Sequence, residues 1–201
     1  MKVKNSLFSL ISLMIVFSCS KTFDTSEEIN EYIQDEDNGY YYKKTIEGVD
    51  YELQYRPTDL LVKQELGEKQ NDTLVQQLRE KYSKYLYFNL SMAKNNQELL
   101  NSVAQDKAKF GQMVNDLAFG MEEKIHLYTP EKDTLAMADF IYPRMYGMSN
   151  STSIMIVYPR DTKYMSQDYL NFTIADLGFN TGEVKFKLQT KALKKEPQLK
   201  L

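Results

Sequence analysis

The chain has 201 residues, with 25 basic and 28 acidic side chains, a formal net charge of −3 and a single cysteine. That length suits one domain with a real hydrophobic core. The slight acidic excess argues against nucleic acid as the main partner, because nucleic acid requires a basic surface. Tyrosine occurs 15 times and tryptophan is absent, a composition that favours sheets with one solvated face and leaves open a tyrosine-rich binding face.

The first 18 residues have the pattern of a secretory signal. Lys2 and Lys4 precede an apolar run at residues 7–18. A helix that spans a bilayer needs roughly 20 apolar residues, so this run is too short to be one. A basic start followed by a short apolar run is typical of a signal peptide. We therefore predict that residues 1–18 are absent from the mature protein.

The apolar run ends in Val16-Phe17-Ser18-Cys19. This sequence resembles the lipobox of bacterial lipoproteins in the looser form of Bacteroidetes-type bacteria, since Phe17 stands where a small residue is usual. The resemblance implies cleavage after Ser18, lipidation of Cys19, and a place in the cell envelope, in the outer membrane facing the periplasm. Several acyl chains on one residue provide a stable anchor, which a single chain does not. A free thiol or an intermolecular disulfide is the alternative for a lone secreted cysteine.

Residues 19–38 are predicted to form a lipidated acidic tether that keeps the domain off the membrane. The segment holds seven acids and only one lysine, and charge runs of this kind are usually solvated. Thr25 and Glu28 have the spacing of a capping box. We expect a short helix after Thr25 that ends near Asn38-Gly39.

The next elements are a hairpin, a helix and a strand. Residues 40–57 alternate apolar and polar side chains on either side of Glu47-Gly48, which predicts a β-hairpin. Asn71 or Asp72 begins an amphipathic helix as its N-cap. Residues 85–93 return to the alternation of a strand.

The second half begins with the clearest helical pattern of the chain, at residues 95–121, with Asn96 as the expected N-cap. Turn signals then separate a series of predicted strands. These strands are expected at residues 124–129, 134–142, 151–159, 169–177 and 182–193. The tail, residues 196–201, is expected to fray.

Together these elements predict one α+β domain over residues 39–195. Its antiparallel β-sheet has about two main helices inserted between an N-terminal hairpin and a C-terminal half rich in strands. No linker rich in glycine or proline interrupts this range. The globular part resembles no family that we recognise, so its function has to be argued from its residues.

Side chains that could carry chemistry are few. His126 is the only histidine, and its place in a strand pattern points it to the polar face. No zinc ligand set, phosphate-binding loop or dinucleotide motif is present. We therefore predict no catalytic residue, no metal and no cofactor. A pair of carboxylates for glycoside hydrolysis stays open, because such pairs are distant in sequence.

A short tripeptide recurs at the ends of two predicted strands. Tyr142-Pro143-Arg144 and Tyr158-Pro159-Arg160 each follow an apolar run, and Tyr55-Arg56-Pro57 repeats the residues in another order. The simpler interpretation is structural, because proline ends a strand and tyrosine packs at its rim. The functional alternative is that Arg144 and Arg160, with Tyr142 and Tyr158, line one end of the sheet and bind the carboxylates of a partner.

Two further tripeptides suggest modification. Asp72-Thr73-Leu74 and Asp133-Thr134-Leu135 resemble the sites at which Bacteroidetes-type bacteria attach O-linked glycans to exported proteins. The resemblance implies O-glycosylation at Thr73 and Thr134.

Three functions follow from these observations, in decreasing order of support. The first is a non-enzymatic envelope lipoprotein, anchored by Cys19, that binds proteins as an accessory subunit of an envelope assembly or secretion complex. The second is a lipoprotein that binds a ligand or carbohydrate on a tyrosine-lined sheet. The third is an enzyme that uses scattered carboxylates.

Overall fold

The computed structural model describes residues 20–67, 71–145 and 147–201. Its strands are β1 (Thr22–Phe23), β2 (Tyr41–Ile46), β3 (Val49–Arg56), β4 (Tyr85–Lys94), β5 (Gln97–Glu98), β6 (Ile125–Tyr128), β7 (Thr134–Leu135), β8 (Asp139–Ile141), β9 (Thr152–Pro159), β10 (Tyr169–Ile174), β11 (Val184–Gln189) and β12 (Gln198–Leu199). Its helices are α1 (Ser26–Gln34), α2 (Thr58–Leu66), α3 (Asp72–Tyr82), α4 (Leu99–Ser102), α5 (Lys107–Asn115), α6 (Met121–Lys124), α7 (Thr162–Met165) and α8 (Thr190–Lys194). Helices and antiparallel sheets together confirm the α+β class.

Two antiparallel sheets form the centre of the structure. The large sheet has the order β2-β3-β4-β9-β8, with β5 also paired to β4, and the small sheet has the order β11-β10-β6-β7. Their inner faces pack on each other. The Phe88 ring of the large sheet lies 5.7 Å from the Phe172 ring of the small sheet, between ring centres. Alternate residues of each strand therefore fill one shared core, and the other residues form an outer face on each sheet.

Several predicted elements are confirmed with their local signals. The hairpin of β2 and β3 turns at Glu47 and Gly48, which both have positive φ, at 52° and 71°. That geometry is the one a two-residue hairpin requires. Asn71 is the N-cap of α3, and its side chain accepts a hydrogen bond from the Leu74 N–H. His126 is exposed on the outer face of the small sheet, as its alternation predicts.

The predicted helix at residues 95–121 is broken into pieces. Asn95 and Asn96 both have positive φ and form the turn between β4 and β5, so Asn96 caps no helix. Asp106 is the N-cap of α5, and a π-helical turn at Asp116–Gly120 follows that helix. The predicted strand at 134–142 is also divided, because β7 joins the small sheet and β8 the large one.

The prediction of a solvated tether at residues 19–38 is wrong for the part that the structure describes. The capping box of Thr25 and Glu28 is present, but the helix that it starts packs on the core. Ile29 and Ile33 of α1 are fully buried within the main core. Glu27, Glu28 and Glu31 lie on the exposed face of this amphipathic helix, and two isoleucines one turn apart are enough to anchor it.

The prediction that residues 196–201 fray is also wrong. Strand β12 pairs in parallel with β1, so the two ends of the described chain are joined. Leu199 is 3% exposed, and its N–H donates a 2.8 Å hydrogen bond to a carboxylate oxygen of Asp59. Glu196 makes a 3.0 Å ion pair with Arg160, with both side chains more than four-fifths buried. The folded part therefore extends beyond the predicted limits of 39 and 195 at both ends.

Helices α2 and α3 cover part of the outer face of the large sheet. Leu61 of α2 packs against Tyr87 of β4 and Val157 of β9. The rest of that face stays open beside the two helices. No helix among the described residues is both long and apolar enough to cross a bilayer.

Candidate functional site: a tyrosine groove on the large sheet

A groove runs along the outer face of the large sheet, between helices α2 and α3 and the edge strand β8. It encloses about 570 Å³, within the usual range for ligand pockets of roughly 300–1,000 Å³. We call it the tyrosine groove. Its lining residues are Leu61, Gln64, Glu65, Tyr82, Tyr85, Tyr87, Ala138, Asp139, Ile141, Met155 and Val157.

Strand alternation places the aromatic side chains of this groove. Tyr85 and Tyr87 are two residues apart in β4, so both point to the outer face. Their ring centres are 6.3 Å apart, and the Tyr82 ring from the end of α3 lies 5.8 Å from that of Tyr87. Both pairs meet edge to face, an arrangement that tyrosine rings favour. The result is a rigid aromatic wall.

The opposite wall is aliphatic and open to solvent. Ile141 lies directly across from Met155 in the pairing of β8 with β9. Ile141 is 50% exposed and Tyr85 is 36% exposed, although both are large apolar side chains. Clustered exposed apolar side chains mark interaction surfaces more often than single ones do.

Charged groups lie at the rim of the tyrosine groove. The Lys81 amine lies 2.8 Å from a Glu65 carboxylate oxygen, and the Tyr82 hydroxyl donates a hydrogen bond to the same carboxylate. These hydrogen bonds lower the pKa of Glu65, and the bond to Glu65 raises the pKa of Lys81. Burial raises the pKa of Tyr87 to about 12. At neutral pH the rim therefore carries a matched ion pair, and the floor offers a neutral hydroxyl.

Arg56 lies beside this groove. It lies directly opposite Tyr87 in the pairing of β3 with β4, on the same outer face. Its Nε is buried and has no hydrogen-bond partner among the described residues. Burial lowers the pKa of the guanidinium. A carboxylate placed here would satisfy a donor that the fold leaves open.

The structure does not bring Arg144 and Arg160 together. Strands β8 and β9 are antiparallel, with Asp139 opposite Val157 and Ile141 opposite Met155. The chain leaves β8 toward the start of β9, whereas Arg160 follows the end of β9. The two arginines therefore follow opposite ends of the ladder, and the prediction that they line one end of the sheet is wrong.

The second tripeptide, Tyr158-Pro159-Arg160, makes its side-chain hydrogen bonds inside the protein. Arg160 donates hydrogen bonds to Glu196, to the Tyr55 hydroxyl at 2.7 Å and to the Leu193 carbonyl at 3.0 Å. Tyr158 is fully buried, and its hydroxyl donates to the Ile125 carbonyl at 3.4 Å. Neither side chain is available to a partner, which corrects the predicted binding role of both.

The other predicted site residues have different surroundings. Tyr142 is half-buried against the core, and Arg144 is exposed after β8. Thr73 and Thr134 are both exposed, in the first turn of α3 and in β7, and their glycosylation stays a prediction. Cys19 lies outside the described residues.

Sequence reasoning missed the residues of the tyrosine groove, although signals for them exist. The alternation of Tyr85 and Tyr87 predicts a strand with a tyrosine face, but it does not show which other elements border that face. Arg56 belongs to the reordered tripeptide that follows Tyr55. Among the described residues, no group of three histidine, cysteine, aspartate or glutamate side chains could hold a metal ion.

Comparisons with known proteins add no family to this picture. Neither protein families, nor curated proteins, nor solved structures gave a significant match to the chain.

Proposed function

We propose that the chain is a non-enzymatic lipoprotein of the bacterial cell envelope that binds a partner protein through the tyrosine groove. Acyl chains on Cys19 hold it in the outer membrane, with the folded part facing the periplasm. Its role is that of an accessory subunit in an envelope assembly or secretion complex. The observation that carries the binding role is the open apolar groove, with Ile141 and Tyr85 exposed at its rim.

The chemistry of the groove defines the kind of segment that fits it. Tyrosine, methionine and isoleucine side chains suit apolar side chains of a protein, since aromatic residues and methionine are enriched in protein interfaces. The Arg56 Nε, which has no hydrogen-bond partner among the described residues, suits a carboxylate next to those apolar side chains. The proposed occupant is therefore a segment of an envelope protein that carries an apolar residue beside an aspartate or glutamate.

The titratable groups of the groove also favour binding over catalysis. The Glu65 carboxylate is held ionised by Lys81 and Tyr82, and burial keeps Tyr87 in its neutral form. A general base works best with a pKa near the operating pH. These groups are suited to donating and accepting fixed hydrogen bonds.

In this proposal the domain lies close to the membrane. Only Ser20 and Lys21 separate Cys19 from strand β1, which begins at Thr22. Three extended residues span at most about 10 Å. The partner is therefore expected to bind near the bilayer surface.

Replacing Cys19 with alanine should release the protein from the membrane fraction. The acyl chains contribute the anchoring free energy, at about 0.8 kcal/mol per buried methylene, and without the thiol none can be attached. Fractionation of cells, with labelled fatty acid to report acylation, measures the effect. A Ser20→Ala variant is the control and should remain in the membrane. Membrane retention of the Cys19→Ala protein would contradict the proposed anchor.

The double variant Tyr85→Ser/Ile141→Asp should lose the partner. Both side chains are exposed, so the fold should tolerate the change, while the apolar groove becomes polar. Cross-linking in native membranes followed by mass spectrometry should show at least tenfold less of a specific cross-linked protein, because each tenfold corresponds to about 1.4 kcal/mol. Surface changes of this kind usually alter stability by less than about 0.5 kcal/mol.

Phe119→Ser is the matched control for this experiment. Phe119 is 79% exposed and lies outside the groove, in the π-helical turn. It removes an apolar side chain that is more exposed than either of the two replaced in the groove. A partner that is lost equally from this control, or retained by the double variant, would place the interface elsewhere on the protein.

A further inference from the structure

We infer that the protein has a second binding site, for an acidic saccharide, at the corner where β2 of the large sheet meets β11 of the small sheet. The groove there encloses about 610 Å³. We call it the lysine groove. Its lining residues are Glu36, Tyr41, Tyr42, Lys43, Lys44, Tyr169, Asn171, Lys185, Phe186 and Lys187.

Three of the lysines have amines free of acidic partners among the described residues. Lys185 and Lys187 are two residues apart in β11 and point to the same outer face. Lys44 reaches across from β2, and its amine donates a 2.5 Å hydrogen bond to the Lys185 carbonyl oxygen. The fourth lysine of the groove, Lys43, is paired with Glu52 at 3.3 Å.

The local charge is therefore opposite to that of the whole chain, which is net negative. Glu36 is the only acidic side chain among the described residues that line the groove. Amines arranged around a concavity attract carboxylate or phosphate groups and can each donate several hydrogen bonds to them. The charge of this groove selects an anion.

Aromatic rings line the same surface. The Lys187 amine lies 3.8 Å from the centre of the Tyr169 ring, and the Lys185 amine lies 5.4 Å from that of Tyr128. These contacts hold the lysine stems along the sheet rather than free in solvent. The floor thus combines apolar ring and methylene surface with hydroxyls and amines. A sugar ring, with its C–H faces and its hydroxyls, presents the matching combination.

A buried hydroxyl beneath the lysines is left without a partner. Thr173 is 1% exposed, and its Oγ1 has no hydrogen-bond partner among the described residues. In the sheet it lies directly opposite Lys185 on one side and His126 on the other. It does not line the lysine groove itself but a separate hollow of about 300 Å³ on the same face, which His126, Lys132 and Glu183 also line. A buried polar group without a partner is costly, and an oxygen of a ligand that extends from the lysine groove past Lys185 would satisfy it.

The shape of the site favours a saccharide over a membrane surface. Asn171 lines the groove but is only 4% exposed, so its amide lies below the reach of a flat bilayer. A narrow polar chain can enter the corner between the two sheets. Concave sites with a few convergent polar groups are typical of small-ligand binding.

Calorimetric titration of the full chain in detergent micelles tests the proposal. The probes are hexagalacturonate as the acidic saccharide, maltohexaose as its neutral counterpart, and a short-chain phosphatidylglycerol as the lipid headgroup. We expect hexagalacturonate to bind and both other probes to bind at least tenfold more weakly. Binding of the lipid without the acidic saccharide, equal binding of the neutral saccharide, or no binding of any probe would overturn the proposal.

Matched variants identify the site. Lys44→Gln/Lys185→Gln/Lys187→Gln should weaken hexagalacturonate binding at least tenfold, because it removes the three free amines. The control Lys63→Gln/Lys107→Gln/Lys194→Gln removes the same charge from exposed lysines outside the lysine groove, and should bind like the unmodified chain. Equal weakening by both triple variants would show a general charge effect and contradict the site.

The Thr173→Val variant separates a role of the hydroxyl in ligand binding from a role in stability. Valine has the shape of threonine and removes the unpaired hydroxyl, so the protein should become at least as stable in denaturant. Binding of hexagalacturonate should nevertheless weaken severalfold. Unchanged affinity in this variant would separate the buried hydroxyl from the ligand and contradict its assigned contact.

Discussion

A chain that stops at Lys195 should unfold at a lower urea concentration than the full chain, with a loss of about 5 kcal/mol in the free energy of unfolding. Burial of Leu199 contributes about 2 kcal/mol, and removal of Glu196 leaves the Arg160 guanidinium buried and unpaired, which costs about 3 kcal/mol. Such a loss equals the whole stability of a marginal domain. Urea unfolding followed by circular dichroism measures it.

Single substitutions separate the two contributions. Glu196→Gln keeps the shape of the side chain and removes its charge. It should therefore lose most of the free energy of unfolding that depends on the ion pair with Arg160. Lys200→Ala changes an exposed residue of the same segment, and should leave the free energy of unfolding within about 0.5 kcal/mol. If the truncated chain were as stable as the full chain, the tail would be frayed as its sequence suggests.

Replacing Ile33 with alanine should lower the free energy of unfolding by about 3 kcal/mol. The side chain is fully buried in the main core, and removing buried methylenes loses their transfer free energy and leaves a cavity. The same urea measurement applies, and the slope of the transition should stay unchanged. A solvated tether would instead show no effect at this position.

Glu31→Ala is the control for that substitution. It lies on the exposed face of the same helix and alanine preserves helix propensity. Its free energy of unfolding should stay within about 0.5 kcal/mol of the unmodified chain. Equal losses from Glu31→Ala and Ile33→Ala would mean that the helix contributes by its own formation rather than by packing.

Features with short-range causes could be predicted from the sequence. The hairpin at Glu47-Gly48 follows from Gly48, which accepts positive φ without a steric cost, and from the alternation on either side of the turn. The start of α3 follows from an asparagine side chain that reaches the N–H three residues on. Each depends on neighbours in the chain, so each is visible in a window of a few residues.

Other features depend on partners that are distant in the sequence. Asn96 is a good helix cap by type, but the pairing of β4 with β5 uses it and Asn95 as a turn instead. The partners of Arg160 are Tyr55 and Glu196, which lie more than 100 and more than 30 residues away along the chain. No local pattern reports such contacts, so the role of Arg160 could not be read from its tripeptide.

The tyrosine groove could be predicted from the sequence only in part. Its aromatic wall could be predicted, because Tyr85 and Tyr87 alternate with buried residues of the same strand. Its boundaries could not, because they depend on where α2 stops covering the sheet and on the short edge strand β8. That the Arg56 Nε lacks a hydrogen-bond partner among the described residues is visible only once its neighbours are placed.

The pairing of β1 with β12 also sets the order in which the protein can fold. Thr22 lies opposite Gln198, so the contact closes a loop of nearly the whole described chain, and such closures are slow. Helix α1 contacts β12 as well. The part of α1 that β12 covers should therefore stay open until residues 198–199 are in place. During that interval the uncovered part of α1 is expected to be open to other proteins.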